Sequence, residues 1–332
     1  MNLTVEQIQS VIKDKFLPGL VVPEHTSDGH FYRETVQNVV YPSVTTKAGI
    51  LDAPHLKKYA ARLAVEHLDK NWDNITPENK ESFYHAAIMA HQDVLEDAGG
   101  VGTEGHHVIE KYLVDWMRSG KRPNDITKFI SGEDVRLHAI TRSAQKFCID
   151  FNVVPIASEL LVVSHKFRFA GTLDSLMMVA RPIKKGNGSC DNQPGMFGEE
   201  RKPHEFYGSA NPLRWNEMNC NHCGLQVVLE FALVDWKTSN SIDKVEYAMQ
   251  VSAYNRALWE MTGGKDGGLR VKHIFIVRLD KEFAKYQVMK VVHYPSAFRA
   301  FAHCSKVWDW LNDGTEKLTP LIQKERISLS MI

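Results

Sequence analysis

Two apolar runs, each carrying charge where packing asks for none, constrain this chain more than anything else in it. The first reads Phe167-Arg168-Phe169-Ala170-Gly171-Thr172-Leu173-Asp174-Ser175-Leu176-Met177-Met178-Val179; the second reads Val227-Val228-Leu229-Glu230-Phe231-Ala232-Leu233-Val234-Asp235-Trp236-Lys237. Their β-branched and aromatic content predicts strands. Residues two apart on a strand share a face, so Asp235 and Lys237 point one way and Trp236 the other. Asp174 is a lone carboxylate in an otherwise apolar stretch, a position carboxylates rarely take. Two carboxylates and an amine converging at strand ends make a divalent-metal site with a cationic partner for a water or a phosphate oxygen. That combination suits phosphodiester hydrolysis.

The flanking pattern says what holds these strands. Thr4 to Gln7 has capping-box spacing, and Val5, Ile8, Val11 and Ile12 give a short amphipathic helix. Phe31–Thr46 leans to β structure, helices are predicted over about 54–70 and 77–98, and Gly99-Gly100 reads as a helix stop. Ile109, Leu113 and Trp116, then Leu137, Ile140, Ala144, Phe147 and Phe151, trace the stripes of two more helices. Ser158–Val163 is expected to pair with 167–179 through a turn at His165-Lys166. Strand 227–236, a helix over 243–262, strands 271–278 and 285–292 and a helix over 295–312 complete the order. The expected fold is α/β: a central mixed β-sheet flanked by helices over 151–315, preceded by an N-terminal helical region (1–150) and followed by a tail (316–332). A chain of 332 residues with 43% hydrophobic content can bury such a core.

Composition narrows the partners. Lys+Arg 40 against Asp+Glu 40 leaves no basic excess, which argues against nonspecific coating of duplex but leaves room for a local basic groove. Five cysteines form no secreted disulfide pattern in a chain this long. No apolar stretch reaches the roughly 18 residues that cross a bilayer, and no leader is evident, so no membrane partner is expected. The expected location is the cytoplasm of a bacterial or phage-infected cell rather than a mitochondrion. The phosphate-binding sequence G-x-x-x-x-G-K-[ST] is absent, so any unwinding helicase, like any recombinase partner, is a separate chain.

Four fragments in order give the sequence a family likeness. They are Gly102-Thr103-Glu104-Gly105-His106, Gly171-Thr172-Leu173-Asp174, Asp235-Trp236-Lys237-Thr238-Ser239 and Gln250-Val251-Ser252-Ala253-Tyr254. Together they resemble the PD-(D/E)XK nuclease superfamily, in particular its RecB-like exonuclease branch, with its G-T-x-x-H, G-x-x-D, D-x-K-T and Q-x-x-x-Y pieces. Tyr41-Pro42-Ser43-Val44-Thr45-Thr46 also resembles the N-terminal lead of phage and mitochondrial nucleases of that branch. The resemblance runs from about residue 41 to 300 and implies a restriction-endonuclease-like core that uses Mg²⁺ or Mn²⁺. It implies that Asp174, Asp235 and the Trp236 carbonyl supply metal oxygens, and that Lys237 holds the attacking water or stabilises charge on the phosphate. His106 would add a nitrogen ligand or orient a hydrated metal; it shares a helix face with Glu110, although His107 beside it competes. Gln250 and Tyr254 lie one helical turn apart. Gln250 can hold Lys237 or the DNA backbone, whereas Tyr254 is equally a core residue. Glu159 resembles an acidic position of the branch that could touch DNA, or is a strand-edge surface charge.

Residues 181–226 depart from the pattern. Gly and Pro residues there read as a long irregular insertion, and the 61 residues from Asp174 to Asp235 exceed a tight hairpin. Cys220-Asn221-His222-Cys223 has the spacing of half a zinc knuckle, which Cys190 and His204 could complete around a structural Zn²⁺. Lys184, Lys185, Arg201, Lys202, Tyr207, Arg214 and Trp215 interleave cations with aromatics, as single-stranded DNA contacts do, though a solvated loop has the same look.

The sequence therefore carries three readings. The first is a metal-dependent DNA exonuclease acting on single strands or frayed ends in recombination, replication or repair. The second is an endonuclease of the same superfamily acting on branched or duplex DNA, and the third a catalytically silent DNA-binding subunit.

Overall fold

The computed structural model describes residues 21–26, 29–36, 38–51, 54–182, 206–207, 219–220, 227–239, 242 and 245–314. Three short strands come first, β1 (Val21–Thr26), β2 (Gly29–Glu34) and β3 (Val39–Pro42), forming an antiparallel sheet in the order β1-β2-β3. Helix α1 (Val44–Ala48), capped by the Ser43 hydroxyl on the Thr46 N–H, leads through α2 (Pro54–Lys70) to the 40-residue α3 (Lys80–Ser119) and to α4 (Val135–Asp150). The main sheet is built from β4 (Val153–Ser164), β5 (Phe169–Pro182), β8 (Val227–Lys237), β9 (His273–Leu279) and β10 (Tyr286–Lys290). A two-residue ladder, β6 (Phe206–Tyr207) with β7 (Asn219–Cys220), lies between β5 and β8 in the chain. Helices α5 (Val245–Met261) and α6 (Tyr294–Asn312) complete the order.

The main sheet runs β10-β9-β8-β5-β4. Only β8 and β9 are parallel, because α5 carries the chain back between them; every other pair is antiparallel. Its two faces separate the core into two clusters. Leu173, Leu176, Leu233 and Ile274 pack with Val251, Leu258 and Phe301 of α5 and α6. Met177, Val234, Trp236 and Val277 pack with Ile109, Leu113, Ile140 and Phe147 of α3 and α4. The architecture is thus the expected mixed α/β sheet between helices.

Two expectations need correction. The N-terminal region is not purely helical, since β1–β3 form a sheet of their own. That sheet is tied to the main one by the Ser43–Ala170 bridge, by Tyr32 OH to Thr172 Oγ1 (3.1 Å) and by Tyr41 OH to His165 Nδ1 (2.8 Å). Gly99-Gly100 does not stop a helix. Neither glycine takes the positive φ that a left-handed cap needs, and α3 runs through both to Gly120, at φ 65°. The long 181–226 segment does not disturb the strand pairing, because β5 meets β8 directly from Ser175–Val234 to Pro182–Val227. The N-terminal amphipathic helix at Thr4–Ile12 and the tail 316–332 lie outside the described residues.

The unbroken α3 carries a testable consequence. A Cβ on Gly99 or Gly100 would meet nothing within 4 Å. Alanine at both should therefore stabilise this stretch by about 1–2 kcal/mol in total, since a mid-helix glycine costs roughly 0.5–1 kcal/mol relative to alanine. Hydrogen exchange at the amides of 95–104 should slow in the double variant; unchanged or faster exchange would mean that the helix breaks there.

Candidate metal centre

The site forms where two paired strands part. β5 and β8 are in register up to Ser175–Val234, and beyond that pair the ladder between them ends. Asp174 lies one step past it on β5, and Asp235, Trp236 and Lys237 lie one to three steps past it on β8. The Trp236 amide, denied a backbone acceptor on β5, donates instead to Asp174 Oδ2 at 2.7 Å. A side chain thereby takes over a ladder bond and fixes the Asp174 carboxylate against β8. The contact made by the Trp236 backbone here is through its N–H. Its indole points to the opposite face, as alternation requires, where Nε1 donates to Ser175 Oγ (3.0 Å) and the ring meets Phe147 edge-on.

Asp235 and Lys237 share a face, and Lys237 Nζ lies 2.7 Å from Asp235 Oδ2. Asp235 is 1% exposed, and its Oδ1 is buried with no hydrogen-bond donor among the described residues. Lys237 is held from its other side as well. It donates to Gln250 Oε1 (3.4 Å), the Gln250 amide donates to Tyr254 OH (3.0 Å), and the Tyr247 ring lies 4.9 Å from Nζ. Gln250 therefore acts on the lysine, and Tyr254 is both a core residue and the anchor for Gln250.

His106 comes in from α3. Two glycines let the helix come close: a Cβ on Gly102 would stand 2.8 Å from Thr238 Oγ1, and one on Gly105 2.9 Å from Ile140 Cγ2. His106 Nδ1 lies 3.8 Å from Asp174 Oδ2 and 3.9 Å from Glu159 Oε1. These three residues offer ligand atoms all within 4.8 Å of one another. His107 turns away, largely exposed, toward Glu110 at 3.5 Å.

Glu159 is the residue that sequence reading placed least well. It stands on β4, the edge strand of the main sheet, and its carboxylate turns into a group with His106 and Asp174 that could hold a metal. Its backbone sits at φ 48°, a left-handed conformation costly for a residue with a Cβ, in a strand whose pairing is irregular between Pro155 and Ala157. Such kinks re-aim side chains. Besides the resemblance to an acidic position of the branch, the sequence signal was a lone carboxylate inside the run Ser158-Glu159-Leu160-Leu161, the same kind of signal that Asp174 gives.

Burial and crowding of like charge set the electrostatics of the site. Burial, then Asp174, Glu110 and Asp235, push the Glu159 carboxyl up to about 8. Burial raises Asp235 too: Lys237 works against the rise and Asp174 adds to it. For Lys237 burial favours the neutral amine, yet Asp235 and Asp174 outweigh it and hold the ammonium above its ordinary range. The oxygens of Asp174 and Glu159 and the imidazole of His106 are of the types that could hold a divalent cation.

A pH prediction follows from the sign. Glu159 binds its proton more tightly folded than unfolded, so its contribution to stability is complete below about pH 4.5 and is lost as pH rises through about 8. In chelator, the melting temperature of Glu159→Gln should gain on that of the native protein between pH 5 and pH 9. Parallel curves would show that Glu159 is not held in this environment.

The candidate zinc ligands Cys190, Cys223 and His204 and the cationic and aromatic positions Lys184, Lys185, Arg201, Lys202, Arg214 and Trp215 lie outside the described residues. Of the other two, the Cys220 backbone pairs with Phe206 and the Tyr207 backbone with Asn219 in the two-residue ladder. No helix among the described residues is long and apolar enough to cross a membrane. No family model matches this chain, and no curated protein does.

Proposed function

We propose that the protein is a divalent-cation-dependent DNA nuclease of the PD-(D/E)XK type that degrades DNA from an end. The reading rests on one observation: Asp174, Asp235 and Lys237 meet where β5 and β8 part, with Glu159 and His106 beside them. A divalent cation held by Asp174, Glu159 and His106 next to Asp235 would polarise a phosphate oxygen and acidify a bound water.

The protein's own groups do the rest. Lys237, kept protonated by its two carboxylate neighbours, enters the reaction as a cation and hydrogen-bond donor rather than as a base. It can orient the attacking water and stabilise the charge that builds on the phosphate. Gln250 and Tyr254 fix where its ammonium stands. Of the three carboxylates Glu159 is the most accessible, at 34% against 12% for Asp174 and 1% for Asp235, so the side of the site that it lines is the one open to water and substrate. Beside the centre runs α3, about 60 Å long at 1.5 Å per residue. Its C-terminal half packs on the core and brings His106 to the centre, while its N-terminal half pairs with α2 and leaves Tyr84, Ile88 and Leu95 exposed beside it.

The test is digestion of end-labelled single-stranded DNA in Mg²⁺ and in Mn²⁺, with covalently closed circular single strands in parallel. Mononucleotides from linear strands and intact circles are expected. Cleaved circles would replace the end-directed activity by an endonuclease. Activity retained by Asp235→Ala would remove the site altogether.

A further inference from the structure

We infer that the outer face of α5 carries a second ligand site, one for a planar heterocycle bearing a phosphate: a nucleoside monophosphate or one unpaired nucleotide of a strand. A cavity of about 400 Å³ lies between α5, the segment before β9 and the start of α6. That size is within the roughly 300–1,000 Å³ of small-molecule pockets. At 100° per residue, the α5 residues lining it (Ser252, Asn255, Arg256 and Trp259) face roughly 170° away from Gln250 and Tyr254. The cavity is thus a different place from the metal centre, joined to it by a single helix.

Its walls are chemically sorted. Trp259 and Phe298 supply ring faces, and the Arg256 guanidinium already lies 4.4 Å from the Trp259 ring centre, with Phe298 at 5.7 Å. Such a stack accepts a further flat group. Arg256 gives its Nε to Glu260 at 2.7 Å, which offsets its charge. Arg270 is exposed at the cavity's edge with no carboxylate partner among the described residues, so the net charge there suits an anion. One polar group in the wall has no hydrogen-bond partner among the described residues, and a second offers both a donor and an acceptor. Ser252 is 1% exposed and its Oγ is buried without a hydrogen bond, a state that costs stability until a ligand satisfies it. The Asn255 amide, on a residue 9% exposed, offers a donor beside an acceptor, as a nucleobase edge requires.

The inference does not rest on the nuclease reading, and its test runs with cleavage switched off. The full chain in EDTA is titrated calorimetrically with dAMP, deoxyadenosine, inorganic phosphate and a short single-stranded oligonucleotide. We expect dAMP to bind, with deoxyadenosine and phosphate each at least tenfold weaker. Arg270→Ala, a surface change, should weaken dAMP tenfold or more, and Ser252→Ala should weaken it several-fold. Asp235→Asn should leave binding as it is. Binding of the oligonucleotide alone, with the same dependence on Arg270 and Ser252, would identify the occupant as a nucleotide within a strand. Failure of both dAMP and the oligonucleotide to bind overturns the site, as does binding indifferent to Arg270 and Ser252. Binding abolished by Asp235→Asn would place the ligand at the metal centre instead, which also overturns it.

Discussion

Lys237→Ala should cut single-turnover DNA cleavage by at least a hundredfold to a thousandfold in saturating Mn²⁺ while leaving a folded protein. The rate term is the loss of one fixed donor aimed at developing charge, typically about 2.7–4 kcal/mol. A stability term accompanies it, and the two can be separated. Asp235 is buried and Lys237 is the cation beside it, at 2.7 Å; removing one partner of a buried pair costs about 3–5 kcal/mol. In chelator the variant should therefore melt well below the native protein at pH 8. At pH 5 the gap should be smaller, because Asp235 can take up a proton. Its folded-state affinity for protons is already raised and rises further without the lysine, so the stability that remains at low pH is lost on going up through that value. Mn²⁺ should restore much of the melting temperature, since a cation at the cluster replaces the missing charge, but none of the rate. A variant as active as the native protein would show that Lys237 is only structural.

Much of this centre was legible in the sequence, because strand alternation alone puts Asp235 and Lys237 on one face and Trp236 on the other, and the structure keeps that phase. Asp174 was legible for the same reason that Glu159 was only half so. Both are carboxylates in apolar runs, but the group Glu159 joins depends on a left-handed backbone angle and a pairing irregularity that no residue type announces. The choice of His106 over His107 followed helical spacing and agrees with the geometry, although Glu110, its expected partner, stands by His107 instead. The glycines misled in one place and were informative in another. Gly99-Gly100 has the composition of a stop, yet a stop is a φ angle, and the chain spends it on Gly120. Of the small N-terminal sheet, β3 and most of β2 fall in the β-leaning stretch Phe31–Thr46, whereas β1 escaped, and the sheet's place is set by contacts to β5, 140 residues away in the case of Tyr32 and Thr172. Nothing local encodes such a contact.

Gly171→Ala, a single added methyl, should disable the protein nearly as thoroughly as loss of a ligand. A Cβ built there would stand 2.4 Å from Tyr254 Cε1, far inside contact distance. Little can give way. Phe169 and Leu173, two residues to either side on β5, are fully buried, as are Val251, Ala253, Ala257 and Leu258 around Tyr254 on α5. Dense cores meet an added methyl with shifted side chains or backbone, at about 1–3 kcal/mol. Here the shift has a chemical consequence as well. If the Tyr254 ring swings away, its hydroxyl leaves Gln250, and Gln250 no longer fixes Lys237; if α5 moves instead, Gln250 is carried with it. Misplacing a catalytic group by about 1 Å can cost a hundredfold in rate, so a fall of that order is expected alongside the lost stability. Tyr254→Leu separates the two effects. Without the ring, Gly171→Ala has nothing to strike, so the double variant should melt close to Tyr254→Leu alone, yet both should stay slow because Gln250 has lost its anchor. Strictly additive melting losses in that cycle would mean that α5 is not seated on β5 as described, and the link from Tyr254 through Gln250 to the lysine would fail with it.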